Sequence, residues 1–545
     1  MFRRRKGSSF LKGATVFMMD VASPRLVEAL QNQKSYPHPV SRVTVVETHI
    51  SWVLLTGQYV YKIKKPVLFS FVDFSTLQKR RWFCEEEIRL NKRLAPQLYL
   101  AVVPITGSPS DPRMDGEGTP IEFAVKMKQF LPDHEFHKLL ATGEIDELVI
   151  SQLAKDIGEF HNRLEPAKET SPYGELDMVW RPVGECFEEI PLDALPVPIQ
   201  TCLQDIKEWA KQEWGRLGPE FIQRKSSGRI RECHGDLHLG NIALFEGRIC
   251  VFDALEFEPR LRWIDVISEV AFLVMDLESK GRVDLAYWFL NRYLEVTGDY
   301  AGMTVFRLYE VYRALVRAKV AGLRLAQLVK GTLEWENIRA DMIKYVKLAH
   351  QLTQPSPPVL VLMHGVSGTG KTTVSTEVVK AMGAIRVRSD VERKRIHTEQ
   401  SDRGVRQETT ENLYAPSMTQ ATYDRLLDLA GEMLKSGYPV VVDATFLRVA
   451  QRQPFIRLAY KRECPFVILD VWAPDNVLAE RIAWRAKQRT DASDATIEVM
   501  EGQKAIEEPL TEAERPHAIR MDSTDSKSVQ STMRDLIEQR GRQEY

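Results

Sequence analysis

The sequence predicts two domains of different class, an α+β unit of strands followed by helices, and then an α/β unit built on a parallel sheet. Three observations carry that expectation. At 545 residues the chain exceeds what one hydrophobic core serves. The segments Val43 to His49, Ser51 to Thr56 and Gln58 to Lys64 are rich in Val, Ile and Tyr with partial alternation, the pattern of consecutive antiparallel strands, and a largely helical middle third follows them. Beyond the prolines Pro355, Pro357 and Pro358, the runs VLVLMHG, GYPVVVDATF and CPFVILDVW are short, almost continuously apolar and separated by helical stretches, which implies a sheet covered on both faces.

Taken in order, Gly57 turns the second strand pair, and STLQKRRWFCEEEIRLNKRL (Ser75 to Leu94) spaces Phe83, Glu87, Leu90 and Leu94 as one amphipathic helix ending before Pro96. Leu98 to Thr106 and Ile121 to Phe130 read as further strands, and Leu148 to Leu164 and much of Pro198 to Leu217 as helices. The expected divisions are a leader over 1–34, a first domain over 35–350, a Pro-rich linker over 351–358 and a second domain over 359–545. Few contacts are expected to cross that linker.

Lys+Arg and Asp+Glu number 74 and 75, a net charge of −1, which excludes a polyelectrolyte character driving nonspecific nucleic-acid binding. The six cysteines form no CxxC pair, so neither a disulfide framework nor a zinc ribbon is indicated, and a reducing, cytoplasmic setting is expected. The basic start MFRRRKGSSFLKG is interrupted by Lys12 and Asp20 before a signal-peptide core can form, and no run reaches the ~18 apolar residues of a membrane span. Nothing in the sequence specifies an oligomeric state.

The strongest local signal is GVSGTGKT, from Gly365 to Thr372, which fits GxxxxGK followed by Thr between an apolar strand and a helix. Its physics is that of a phosphate cradle. Backbone N–H groups of Gly365, Val366, Ser367, Gly368, Thr369 and Gly370 wrap phosphates, Lys371 reaches the β and γ oxygens of ATP, the Thr372 hydroxyl ligates Mg2+, and Thr373 continues the helix N-terminus. Downstream, RSDVERKR places Asp390 at the end of a strand with Arg393 three residues on, and VVVDATF ends a strand in Asp443, from which a carboxylate can reach magnesium. Arg481, Arg485 and Arg489 recur every four residues and share one helix face, as a lid over polyphosphate or as a solvated basic face.

A second constellation is HGDLHLGN, His234 to Asn241, followed by Asp253 in VFDALEF. An acidic residue beside the acceptor hydroxyl (Asp236), an amide five positions on (Asn241) and a later carboxylate (Asp253) are what magnesium-dependent phosphoryl transfer requires. A short hairpin can bring Asn241 and Asp253 to one metal. Cys233, His234 and His238 offer only three soft ligands with no fourth at metal-site spacing, so a zinc site is not expected. Asp265 opens an amphipathic helix, where a cap is its simplest role.

On these residues the last third resembles the small P-loop kinases, among them polynucleotide 5′-kinases, zeta-toxin-like kinases and gluconate kinases. That resemblance implies Asp390 as base for the acceptor hydroxyl, Arg393 as a phosphate clamp, and lid arginines on the transferring group. Residues 35–350 resemble the aminoglycoside phosphotransferases and their choline- and homoserine-kinase-like relatives. Here the resemblance implies Asp236 as catalytic base, Asn241 and Asp253 as magnesium ligands, and Asp265 as a brace for the catalytic loop. It also implies an ATP-anchoring lysine in YVYKIKK, Lys62 or Lys64, paired with Glu87 or Glu86.

The whole chain is similar to a bacterial family of bifunctional aminoglycoside-phosphotransferase-like proteins. The implied fold is an α+β protein-kinase-like domain followed by an α/β P-loop NTPase domain with a parallel sheet. The implied function is ATP- and Mg2+-dependent phosphorylation of small-molecule hydroxyl acceptors, with nucleic-acid 5′ ends as a further acceptor class for the C-terminal domain. No GxGxxG precedes Lys62, so a second reading makes the N-terminal module an ATP-sensing or ligand-binding regulator of the P-loop kinase.

Overall fold

The structure is a computed structural model that describes residues 24–69, 72–355, 357–402, 415–488 and 496–541. The chain divides into two compact units. One holds the residues up to Ile145 with Arg163–Val179 and Ile222–Leu273, and the other holds Asp146–Asn162, Trp180–Phe221 and Val274–Tyr545.

In the first unit six antiparallel strands lie in the order Thr44–Glu47, Ser51–Leu55, Tyr59–Lys64, Glu122–Lys128, Tyr99–Ser108, Asp111–Met114. The three opening strands match the alternating segments read from the sequence, because Leu54, Tyr61 and Ile63 point into a core shared with Val103, Ile105 and Ala124. Register is fixed by those inward residues, Lys62 standing opposite Val53 and Val125. The expected helix spans Leu77–Asn91, started by Thr76, whose hydroxyl accepts from the Lys79 N–H. The expected leader ends earlier than 34. Pro24–Ala29 is helical, and Leu26, Val27, Leu30 and Tyr36 are buried in the same core as the strands, while the earlier residues lie outside the described ones.

The second unit contains the helix Glu147–Arg163 up to Asn162 and the helix Val197–Ser226 up to Phe221, the latter running on through Pro219, beyond the expected end at Leu217. Its sheet has five parallel strands in the order Ile385–Arg388, Val440–Asp443, Leu360–His364, Phe466–Trp472, Ala518–Asp522, as the apolar runs predict. Val361, Met363, Val441 and Leu469 face helix residues Val374 and Val378 in its core.

The edge strand Ile385–Arg388 is covered by Val283–Thr297, a helix from before the linker. Asn291, fully buried, donates to the Ala384 carbonyl at 2.9 Å and accepts from the Arg386 N–H at 2.5 Å, completing the strand's hydrogen bonding. Buried Arg386 donates to Glu295 from two nitrogens, at 2.8 and 3.2 Å. The expectation that few contacts cross the linker is therefore not met. Among the described residues no helix is long and apolar enough to cross a membrane.

Candidate active sites

In the first unit Lys62 and Lys64 project from the same strand face, as period two requires, onto one carboxylate. Glu87 accepts from Lys62 at 2.9 Å and from Lys64 at 2.8 Å, and it has no exposed surface. Of the two carboxylates read as the lysine's partner, Glu87 is therefore the one that meets the lysines, and Glu86 instead pairs with Arg89 and Arg262. The two lysines then part ways. Lys62 reaches Asp253 at 2.6 Å, whereas fully buried Lys64 ion-pairs with Glu256, which the sequence did not single out. Burial pushes the Glu87 carboxyl up, but the two lysines outweigh it and hold it well below the usual range. Burial likewise depresses Lys62, yet Asp253 and Glu87 prevail and raise it.

Asp253 follows the hairpin of Ile242–Phe245 and Arg248–Val251, with Phe252 N–H donating to the Asn241 carbonyl at 2.9 Å. Its own φ is 62°, a left-handed conformation that a non-glycine residue rarely adopts, held by donation of its N–H to the Tyr99 hydroxyl at 3.1 Å. Asn241 donates to the Asp236 carboxylate at 2.9 Å, and His238 lies 3.4 Å from the same oxygen. His234 is buried, and burial lowers its pKa. Its Nδ1 accepts from Asp236 N–H, so its Nε2 carries the proton given to the Phe252 carbonyl.

The backbone of this loop is held by Glu269, which accepts from the N–H groups of His234 at 3.2 Å and Gly235 at 2.6 Å. Gly235 has φ 91°, and a Cβ there would meet the Leu261 carbonyl at 2.9 Å. Asp265 grips Arg224 at 2.5 and 2.7 Å and accepts from the Ile267 N–H. It thus caps the helix, while Glu269, one turn on and missed in the sequence, supports the loop directly.

In the second unit the phosphate loop joins the central strand Leu360–His364 to the helix Lys371–Met382. Gly365, Gly368 and Gly370 all have positive φ, and a Cβ on Gly365 would meet the Val471 carbonyl at 2.4 Å, so the loop's glycines are steric necessities. Lys371 donates to the Val366 carbonyl at 2.8 Å and the Ser367 N–H to Gln503 at 2.7 Å. Arg481 donates to the carbonyls of Gly368 and Thr369 at 3.3 and 3.2 Å and to Ser523 at 2.8 Å. Its helix, Asp475–Gln488, also contains Arg485, whose side chain lies outside the described residues, as does Arg489 entirely.

Asp443 ends its strand as expected and accepts from Ser375 at 3.2 Å. Asp390 does not end a strand. The strand stops at Arg388, and Asp390 sits in the first turn of Ser389–Asp402, where a carboxylate suits the helix N-terminus. Thr372, Thr373, Asp390, Arg393, Asp443 and Arg481 all line one open cavity of about 730 Å³ with Lys371. The same cavity is lined by Arg388, Trp288 and Arg292, which the sequence did not point to. The glycine cradle, a buried lysine, a hydroxyl and a strand-end carboxylate fit a magnesium nucleotide.

Fold and motifs define a phosphotransferase of the kinase class, with a nucleotide-binding P-loop domain. A family model described as "Phosphotransferase enzyme family" matches residues 77–309, and one described as "AAA domain" matches 360–510. The uncharacterized protein Rv2004c of Mycobacterium tuberculosis H37Rv is 32% identical over 459 residues, 84% of this chain and 89% of that protein. The chain belongs to the same family as that mycobacterial protein, and it carries a phosphotransferase-family domain followed by a P-loop kinase-like domain.

Among solved structures, the amicoumacin kinase hAmiN is similar at 12% identity and a TM-score of 0.36, covering 59% of this chain and 94% of its own. A gluconokinase from Sinorhizobium meliloti 1021 is similar at 21% identity and a TM-score of 0.24, covering 35% of this chain and 100% of its own.

Proposed function

We propose that the chain carries two ATP sites, each transferring the γ-phosphoryl group to a small-molecule hydroxyl, with 35–350 and 359–545 as the respective modules. The observation that supports this best is the pair of separate residue sets, Lys62, Glu87, Asp236, Asn241 and Asp253 in one and the phosphate loop with Asp390, Arg393 and Asp443 in the other. In each, the acceptor oxygen bonds to the γ-phosphorus as the bond to the β–γ bridging oxygen breaks, leaving ADP. The hydroxyl proton passes to Asp236 or to Asp390. Asn241 and Asp253 in one module, and Thr372 and Asp443 in the other, would hold magnesium, which would supply charge neutralisation at the phosphates. The test is ATP turnover with magnesium over a metabolite panel. Absence of turnover by both modules would sink the reading.

A second reading keeps the N-terminal module as a regulator. It is favoured by the tight turn at Gly57 between Ser51–Leu55 and Tyr59–Lys64, where no glycine-rich loop is present to cover phosphates. Titration of ATP into the Lys371→Ala chain separates the two: absence of residual binding favours a scaffold. Labelled ATP with a 5′-hydroxyl oligonucleotide tests the nucleic-acid acceptor class.

A further inference from the structure

The helix Val283–Thr297 lies before the linker, within the span matched by the phosphotransferase family, yet two of its side chains line the P-loop cavity. Trp288 is held as a fixed wall, its Nε1 donating to the Glu147 carbonyl at 3.0 Å and to the Ser151 hydroxyl at 2.9 Å. One turn on, Arg292 lies over the Trp288 ring, 5.9 Å from its centroid, and Arg386 lies 5.3 Å from it.

The charges here do not balance within the cluster. Glu295 gives one oxygen to Arg386 and the other to Arg292, with Arg388 3.7 Å from that second oxygen, so one carboxylate serves three guanidinium groups. Arg386 is buried and spent on that bridge, whereas the Arg292 side chain keeps 33% of its surface. The cavity as a whole has the same sign. Arg292, Arg386, Arg388 and Arg393 line it alongside Lys371 and Arg481, against the carboxylates of Asp390 and Asp443. Lys371 and Arg481 sit at the phosphate loop and answer to the nucleotide. Arg292, on the helix before the linker, belongs to neither the phosphate loop nor the Asp390 and Arg393 pair. Guanidinium forks against a flat indole form a surface for a phosphate or carboxylate.

We propose that the acceptor at the P-loop site carries an anionic group, phosphate or carboxylate, which docks on Arg292 beside Trp288, so that a helix from before the linker determines acceptor specificity. This rests on the C-terminal site being a nucleotide site, and its test is built to separate the two. The full chain is saturated with Mg2+ and the ATP analogue AMP-PNP, then titrated with inorganic phosphate in a calorimeter. Saturable phosphate binding is expected, weakened about tenfold by Arg292→Gln and largely retained by Arg292→Lys. AMP-PNP affinity reports whether each variant is folded, and Arg292→Glu repeats the measurement if the glutamine variant is not. Normal AMP-PNP binding with phosphate binding absent, or indifferent to position 292, overturns the proposal alone. Failure of the Asp236→Asn, Lys62→Ala chain to bind AMP-PNP overturns the C-terminal nucleotide site and this proposal with it.

Discussion

Glu87 has two lysines and no water, and that determines what its removal does. Glu87→Gln leaves two buried ammonium groups sharing fewer carboxylates, and breaking a buried pair from one side costs about 3–5 kcal/mol. Thermal unfolding measures the loss. The pH dependence has a definite sign. Because Lys62 and Lys64 hold the Glu87 carboxyl below its unfolded value of about 4.3, its contribution is present above that pH and is lost as pH falls through the lower folded value. The variant should therefore show a flatter acid limb below about pH 4 than the wild type.

The two lysines should separate by function. Lys62 also touches Asp253, the expected magnesium ligand, so Lys62→Ala should cost about 10²-fold or more in turnover at that site. Lys64 is wholly enclosed by Glu87 and Glu256, so Lys64→Met should lower the melting temperature first. Equal loss of turnover with unchanged stability in both variants would contradict this division.

At the scale of elements, the helix Val283–Thr297 completes an edge strand that follows it by nearly a hundred residues. Asn291→Ala leaves a buried N–H and a buried carbonyl without partners, a cost of about 1–3 kcal/mol, and the Arg386 amide should lose protection in hydrogen exchange. For the same reason a proteolytic nick within 354–358 should leave the two pieces associated on a sizing column. Separation without denaturant would show that these contacts contribute little.

This helix also marks where the sequence becomes silent. Strands and helices with one buried face were readable because their period repeats locally, and the phosphate loop because its chemistry needs contiguous residues. Asn291, Glu256 and Glu269 act on partners far along the chain and repeat no pattern, so only the fold reveals them. Trp288 and Arg292 read as an ordinary amphipathic helix until the sheet edge is placed beside them. Asp390 was misplaced by two residues because an apolar–basic run and the helix after it blend at RVRSDV.

For the whole molecule, the two proposed ATP sites, each with its own residue set, are expected to be chemically independent. In the proposed reaction Lys371 compensates charge on the β and γ phosphates as the bond breaks, so Lys371→Ala should silence C-terminal turnover. Asp236→Asn preserves the shape and the neighbouring Asn241 but cannot take the acceptor proton, so the N-terminal reaction should fall by about 10²- to 10⁴-fold while ATP still binds there. Independence has a quantitative form. Written as activation free energies for each acceptor, the effect of one substitution should be unchanged by the presence of the other, within about 0.5 kcal/mol. The measurement is ATP turnover by the wild type, both single variants and the double variant, with each acceptor in turn. If Lys371→Ala also abolishes the reaction assigned to Asp236, the sites are coupled, and the N-terminal module acts on the P-loop kinase as its regulator.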